Sequence, residues 1–232
     1  MNAEKVRLIS ALKSQPISVG ILASNWLKFS KTLNVLSQSQ NQLRLLHFDI
    51  ADGQFSPFFT VGSMAIQQFP NTFIKDVHLM VKDQFNVVKK CVAAGADIMT
   101  LQVENTVDLD NTLQWLKTQK TILCGLAICP NTPLELLYPY LPDIDLIQIL
   151  TLDPRTGEKA NLDQITERLI QLLNQLHDSG QEKLISIDGS MTFELASHLK
   201  KYEIDWVVSG SALFSSDSFE KTLIEWKKML SH

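Results

Sequence analysis

The chain has 232 residues, 45% of them apolar, and a formal net charge of −4 at pH 7. Such a length fits one large core, and the mild acidity offers no basic tract for nucleic acid or anionic lipid. No apolar run approaches the roughly 18 residues that cross a bilayer. The three cysteines, Cys91, Cys124 and Cys129, are too few and too oddly spaced for a disulfide framework. The N-terminal MNAEKVRLISALKSQ has no apolar core of a signal peptide, so a cytoplasmic protein with reduced thiols is expected.

Residues 1–15 place Val6, Leu8, Ile9 and Leu12 at helical spacing, which predicts a short N-terminal helix that caps the bottom of the fold. Strands are predicted at ISVGIL from Ile17, LRLLHFDI from Leu43, FIKDVHLMV from Phe73 and DIMTLQVE from Asp97. Four more follow at TILCGLAIC from Thr121, LIQILTL from Leu146, KLISIDG from Lys183 and WVVSGSAL from Trp206. Most lead into helical patterns such as QFNVVKKCVAAG or LDQITERLIQLLNQLHDSG, the latter with Gly180 as its C′ glycine. Eight β-then-α units imply a parallel sheet, and eight is the number that closes into a barrel. An open doubly wound sheet is the rival, and no Gly-x-Gly-x-x-Gly follows any strand to support it. The expected architecture is therefore one (β/α)8 TIM barrel domain over residues 1–232.

In that fold the C-terminal ends of the strands carry the chemistry. His47 and Asp49 are two apart on one strand and share a face. His78 ends the third strand and Asp188 the seventh, so two imidazoles and two carboxylates could meet at one mouth. Two nitrogen and two oxygen ligands suit Zn²⁺, Fe²⁺, Mn²⁺ or Co²⁺. Asp52, before Gly53, reads as a turn former, and His177, His198 and His232 read as ordinary structural histidines.

The segments HFDIADGQFSPFFTVG, DVHLMV, SIDGS and VSGSALF resemble, in order, motifs of the ribulose-phosphate 3-epimerase family. The resemblance implies a metal-dependent ketose-phosphate 3-epimerase, with one divalent ion held by His47, Asp49, His78 and Asp188. It also makes Asp49 and Asp188 the acid/base pair. The physics suits those roles, since inversion beside a carbonyl needs one group to take a proton from one face and another to return one to the opposite face. A divalent ion would stabilise the enediolate between the two steps. Near the cation both carboxylates would stay ionised unless burial and mutual repulsion held one proton between them, which is the resting state the reaction requires. The resemblance further implies substrate and phosphate contacts from His78, Met80, Gly157, Gly189, Ser190, Gly210 and Ser211.

Departures from the family pattern lie in the substrate-gripping set. The serine of a P-S-I-L opening is Gly20, and two expected methionines are Ala51 and Leu150. The P-G-F-G-G loop reads Pro154-Arg155-Thr156-Gly157-Glu158-Lys159, so Arg155 or Lys159 could supply charge to a rebuilt phosphate site. The leading expectation is interconversion of D-ribulose 5-phosphate and D-xylulose 5-phosphate. A 3-epimerase of another sugar phosphate, such as a hexulose 6-phosphate, and a non-catalytic phosphosugar-binding barrel are the alternatives. Decarboxylases and synthases built on Asp-x-Lys-x-x-Asp are disfavoured, because the second strand reads His-Phe-Asp. A Schiff-base aldolase would have only Lys82 near the mouth. The expected partner is a small sugar phosphate, and a homo-oligomer is expected from the resemblance, with Phe55, Phe58 and Phe59 available for an interface or a lid.

Overall fold

The computed structural model describes residues 2–38, 43–216 and 218–230. Helix α1 (Ala3–Leu12) opens the chain, started by Asn2, whose side chain accepts from the Glu4 N–H. Then come β1 (Ile17–Gly20), α2 (Phe29–Gln38), β2 (Leu45–Ala51), α3 (Ser63–Gln68), β3 (Ile74–Met80) and α4 (Gln84–Ala93). The middle of the chain adds β4 (Ile98–Gln102), α5 (Leu109–Thr118), β5 (Leu123–Ile128), β6 (Leu146–Leu150) and α6 (Leu162–Asp178). It closes with β7 (Leu184–Asp188), α7 (Phe193–Leu199), β8 (Trp206–Ser209), α8 (Ser211–Phe214) and α9 (Phe219–Leu230). The strands pair in parallel in sequence order, and β8 returns to β1 through Ile17↔Val207 and Val19↔Ser209, which closes the TIM barrel.

All eight predicted strands form inside their predicted runs, except that β2 continues one residue further, to Ala51. The fifth unit departs from strict alternation: among the described residues no α-helix links β5 to β6. Pro133, Pro139 and Pro142 withhold backbone N–H donors there, and the chain makes two 3₁₀ segments, Leu134–Leu136 and Tyr138–Asp143. Helix α6 is the longest of the described helices, and its start is fixed by a reciprocal capping box between Asn161 and Gln164. Gly180 lies just past its end, with its N–H returning to His177 O.

Side chains two apart along each strand share a face, so the barrel interior fills in layers. The bottom layer is apolar: Leu45, Ile98, Leu123, Leu146, Leu184, Trp206 and Val208 pack together, with Leu12 of α1 sealing them and Leu8 and Ile9 against the seal. Val6, expected on that apolar face, is instead half exposed. A fully buried Leu or Ile contributes about 1.5–3 kcal/mol, so this plug is a substantial part of what holds the lower barrel closed. The next inward positions change character. Ser18, His47, Asp76, Thr100, Gln148 and Ser186 are all buried and polar. Ser18, Asp76 and His47 are joined by hydrogen bonds and Gln148 reaches up to Asp188, while the Thr100 and Ser186 hydroxyls have no partner among the described residues.

Candidate active site at the barrel mouth

The register sets the site. Strands β2 and β3 pair Asp49 with His78, and β6 and β7 pair Leu150 with Asp188. One ligand atom from each of His47, Asp49, His78 and Asp188 lies within 4.8 Å of the others. His47 Nε2 is 3.3 Å from Asp49 Oδ1 and 3.5 Å from Asp188 Oδ2. His78 Nδ1 is 3.1 Å from Asp49 Oδ1 and 3.6 Å from Asp188 Oδ2. Each imidazole therefore faces both carboxylates, and two nitrogens and two oxygens converge as a donor set able to hold a divalent ion. Above them opens a cavity of about 240 Å³, lined in part by Leu22, Phe58, Met80, Leu150 and Gly189.

The charges are tightly balanced. Burial would lower the His47 imidazole, yet Asp76, then Asp49 and Asp188, push it well above its usual value. Burial likewise opposes the charge on His78, but hydrogen bonds to Asp188 and Asp49 raise it to about 8. Burial would raise both site carboxyls; the two imidazoles instead hold Asp49 and Asp188 below the usual carboxylate range. The opposed shifts share one geometric cause, since each carboxylate has two imidazole nitrogens within 3.6 Å.

Four groups that sequence reasoning passed over hold this arrangement in place. Asp76, wholly buried on β3, has Oδ2 2.8 Å from His47 Nδ1 and accepts from Ser18 Oγ at 3.0 Å. It fixes which ring nitrogen of His47 points inward, the supporting role carboxylates play behind ligand histidines. Gln148 Nε2 donates to Asp188 Oδ2 at 2.8 Å, and Gln102 Nε2 lies 2.6 Å from His78 Nε2. Thr60 Oγ1 donates to Asp49 O at 2.7 Å and accepts from Ala51 N at 2.8 Å, tying the loop after β2 to the strand. The usable signal was a polar residue at an inward position of an otherwise apolar strand, as in DVH, TLQ and LIQIL.

The predicted substrate-contacting residues fare unevenly. Met80 and Gly189 line the cavity with Asp49, His78 and Asp188. The Gly189 N–H, however, turns back to Asp188 Oδ1 at 2.6 Å, and Ser190 follows with φ 41°, in the left-handed region that costs a side-chain-bearing residue about 1 kcal/mol. Gly20 and Gly210 face each other across β1 and β8; a Cβ on Gly20 would meet Gly210 Cα at 3.2 Å, so a serine there requires the two backbones to part slightly. Ser211 begins α8. Gly157 and Lys159 are exposed on a small hairpin after β6, closed by the Leu152↔Lys159 bridge, and neither lines the cavity. Arg155 is committed to its neighbour: Nε and NH2 reach Asp153 Oδ1 and Oδ2 at 3.0 and 2.7 Å. The charge that Arg155 offers a phosphate is therefore largely offset by a buried carboxylate.

Asp52 is a turn residue, accepting from Gln54 and Phe55 N–H groups and, in addition, from Lys82 N–H. His177 and His198 lie on α6 and α7, outside the four-residue set, and His232 is outside the described residues. Cys91, Cys124 and Cys129 are free and buried. Phe58 flanks the cavity, while Phe59 is largely exposed over Gly53. No helix among the described residues is long and apolar enough to cross a membrane.

Known proteins place this arrangement. The profile of the Ribulose-phosphate 3 epimerase family matches residues 16–214. The chain is 44% identical to a protein named "Putative epimerase LsrE" of Salmonella paratyphi A, over 95% of this chain and 89% of that one. It is 28% identical to ribulose-phosphate 3-epimerase of Escherichia coli strain K12, over 95% and 98% of the two chains. Among solved structures, a KGPDC of Streptococcus mutans overlays with a TM-score of 0.70 at 12% identity, covering 94% of this chain and 97% of that one. That last likeness is one of fold. The motifs, the closed barrel and the whole-length match agree, and the chain belongs to the ribulose-phosphate 3-epimerase family, a metal-dependent isomerase family whose members epimerise sugar phosphates.

Proposed function

We propose that the chain interconverts D-ribulose 5-phosphate and D-xylulose 5-phosphate, with Asp49 and Asp188 as the two proton-transferring groups. The observation that carries this reading is a pair of carboxylates delivered by β2 and β7, from well-separated strands of the barrel, into one cavity with two imidazoles between them. His47, Asp49, His78 and Asp188 fit a divalent ion by donor type and by mutual distance, and Asp76 leaves His47 Nε2 as the inward nitrogen. When bound, such an ion supplies Lewis-acid stabilisation of the negative charge that develops on the substrate oxygens.

The chain's own groups do the rest. One ionised carboxylate takes the proton from the carbon beside the carbonyl, and the other, protonated, returns one to the opposite face; the roles exchange in the reverse direction. Gln148 donates to Asp188 Oδ2 and the Gly189 N–H to Oδ1, and the two contacts together fix how this carboxylate is presented to the cavity. Met80, Leu150 and Phe58 exclude water from the face of the planar intermediate, which strengthens each electrostatic contact inside.

A second reading, the same chemistry on another ketose phosphate such as a hexulose 6-phosphate, is favoured by two observations. The loop after β6 presents Arg155 already paired with Asp153, and identity to the LsrE protein exceeds that to ribulose-phosphate 3-epimerase. The test is a panel of ketose phosphates incubated with the protein and Mn²⁺, Fe²⁺, Co²⁺ or Zn²⁺ in D₂O, followed by NMR at C3. Deuterium entering D-ribulose 5-phosphate fits the first reading, and deuterium entering only another ketose fits the second. No exchange with any substrate and any metal contradicts both.

A further inference from the structure

Inward side chains of a (β/α)8 barrel stack in layers of four, each drawn from alternate strands and dominated by bulky branched residues. One layer of this barrel departs from that rule. The odd strands β1, β3, β5 and β7 supply Ser18, Asp76, Gly125 and Ser186, three short polar side chains and a glycine. Within it, Ser18 Oγ donates to Asp76 Oδ2 at 3.0 Å across the interior. Beneath it, the even strands place Leu45, Ile98, Leu146 and Trp206; above it, they place His47, Thr100 and Gln148. A Cβ on Gly125 would meet Thr100 Oγ1 at 3.0 Å, so that hydroxyl faces down into the same level. Five buried polar atoms in and around this layer have no partner among the described residues: Asp76 Oδ1, Ser186 Oγ, Thr100 Oγ1, Gln148 Oε1 and Trp206 Nε1. Each carries a desolvation penalty that a partner would remove.

We propose that this layer is an internal water site, in which a buried water accepts from Trp206 Nε1 and donates to Asp76 Oδ1 and Gln148 Oε1, with the Thr100 and Ser186 hydroxyls completing its shell. The donor and acceptor roles select the occupant. The indole N–H of Trp206 can only donate. Gln148 Oε1 can only accept, because its amide nitrogen is spent on Asp188 Oδ2, and Asp76 Oδ1 is a carboxylate oxygen. A cation is repelled by the indole N–H and an anion by Asp76, whereas water both donates and accepts. Buried waters make about three such bonds to groups that would otherwise be unpaired. The consequence lies one level up. Asp76 Oδ2 contacts His47 at 2.8 Å and Gln148 holds Asp188 at 2.8 Å, so the water joins the supports of two of the four cavity residues through the barrel interior. It also gives the Gln148 amide a partner at its oxygen end, which keeps the nitrogen turned toward Asp188.

The test has a structural arm and an energetic one. A crystal structure of the parent protein, at a resolution that shows ordered water, is expected to carry a water within about 2.7–3.2 Å of Trp206 Nε1, Asp76 Oδ1 and Gln148 Oε1. Direct hydrogen bonds pairing these atoms with one another, a dry void, or a metal ion in the layer overturns the proposal. Thr100→Val exchanges the hydroxyl for a methyl of nearly the same shape. Where that hydroxyl bonds a water, its loss is expected to lower the melting temperature of the metal-free protein by about 2–4 °C. Where the layer is dry, the same change removes an unpaired buried polar atom and raises the melting temperature. An equal or higher value for the variant therefore overturns the proposal. The parent structure decides the matter even if the variant does not fold. Neither arm involves substrate or metal, so a failure here is distinct from a failure of the proposed reaction.

Discussion

Replacing Asp76 with Asn isolates what one buried charge does for the site. Asp76 and His47 are both fully buried, and Asp76 Oδ2 takes the His47 Nδ1 contact at 2.8 Å and the Ser18 hydroxyl at 3.0 Å. Its Oδ1 has no hydrogen-bond partner among the described residues. An asparagine with its oxygen in place of Oδ2 keeps both hydrogen bonds and loses the charge, and its amide nitrogen in place of Oδ1 is left without a partner among the described residues. Hydrogen bonds to charged groups contribute about 1.5–3 kcal/mol against about 1 for neutral ones, which puts the loss at about 1–2 kcal/mol. In metal affinity, removing a partner behind a ligand histidine lowers binding by about 10–100-fold, the same range of energy. Asp76 is also the strongest influence raising the His47 imidazole, so the stability deficit of Asp76→Asn belongs at low pH, where His47 is charged, and shrinks as pH rises. Thermal denaturation of metal-free protein at pH 6 and pH 9, with Mn²⁺ or Zn²⁺ titrations of the parent and the variant, measures both effects. If Asp76→Asn bound metal as tightly as the parent while His47→Ala bound none, the role assigned to Asp76 would be wrong.

Protonation of His78 stabilises the metal-free fold, because its folded value is about 8 against 6.5 for the free group. That contribution, about 2 kcal/mol, is complete below pH 6.5 and disappears as pH rises through 8, with His47 acting in the same direction. A metal-free stability curve that stays flat from pH 6 to pH 9 would refute it. The same protons compete with a metal ion, so affinity measured by titration should increase with pH over that window. Gly53→Ala should destabilise by about 1–3 kcal/mol, since φ is +73° and a Cβ would fall 2.1 Å from the Phe59 ring. Adding Phe59→Ala should recover the part due to the ring and leave about 1 kcal/mol of backbone strain; a double variant no better than the single would show that the clash is not the cause.

The strands and the four-residue set were legible because each has a local signature. Apolar runs of the right length announced β1 to β8, and Asp49, His78 and Asp188 sit toward the ends of such runs, with His47 two residues before Asp49 on the same face of β2. What remained illegible depends on partners whose meeting no local pattern announces. Nothing around Arg155 tells that Asp153 will fold back onto it with both oxygens, and nothing around Gln102 tells that His78 lies one strand away at hydrogen-bond distance. Those pairings follow from loop conformation, strand register and the taper of the barrel interior. The missing helix between β5 and β6 was readable in principle from three prolines in ten residues, Pro133 to Pro142. The opposed shifts of the imidazoles and carboxyls could not be read at all, because they depend on separations of 3.1–3.6 Å between four side chains.

Asp49 and Asp188 each have to move a proton if the proposed reaction is right. The direct measurement is conversion of D-ribulose 5-phosphate in D₂O by metal-loaded parent, Asp49→Asn and Asp188→Asn proteins, with deuterium at C3 of the product read by NMR. The parent should form an epimer carrying solvent deuterium at that carbon, and both variants, folded as judged by circular dichroism, should form none. An epimer lacking deuterium, or either variant turning over near the parent rate, would contradict the two-carboxylate mechanism.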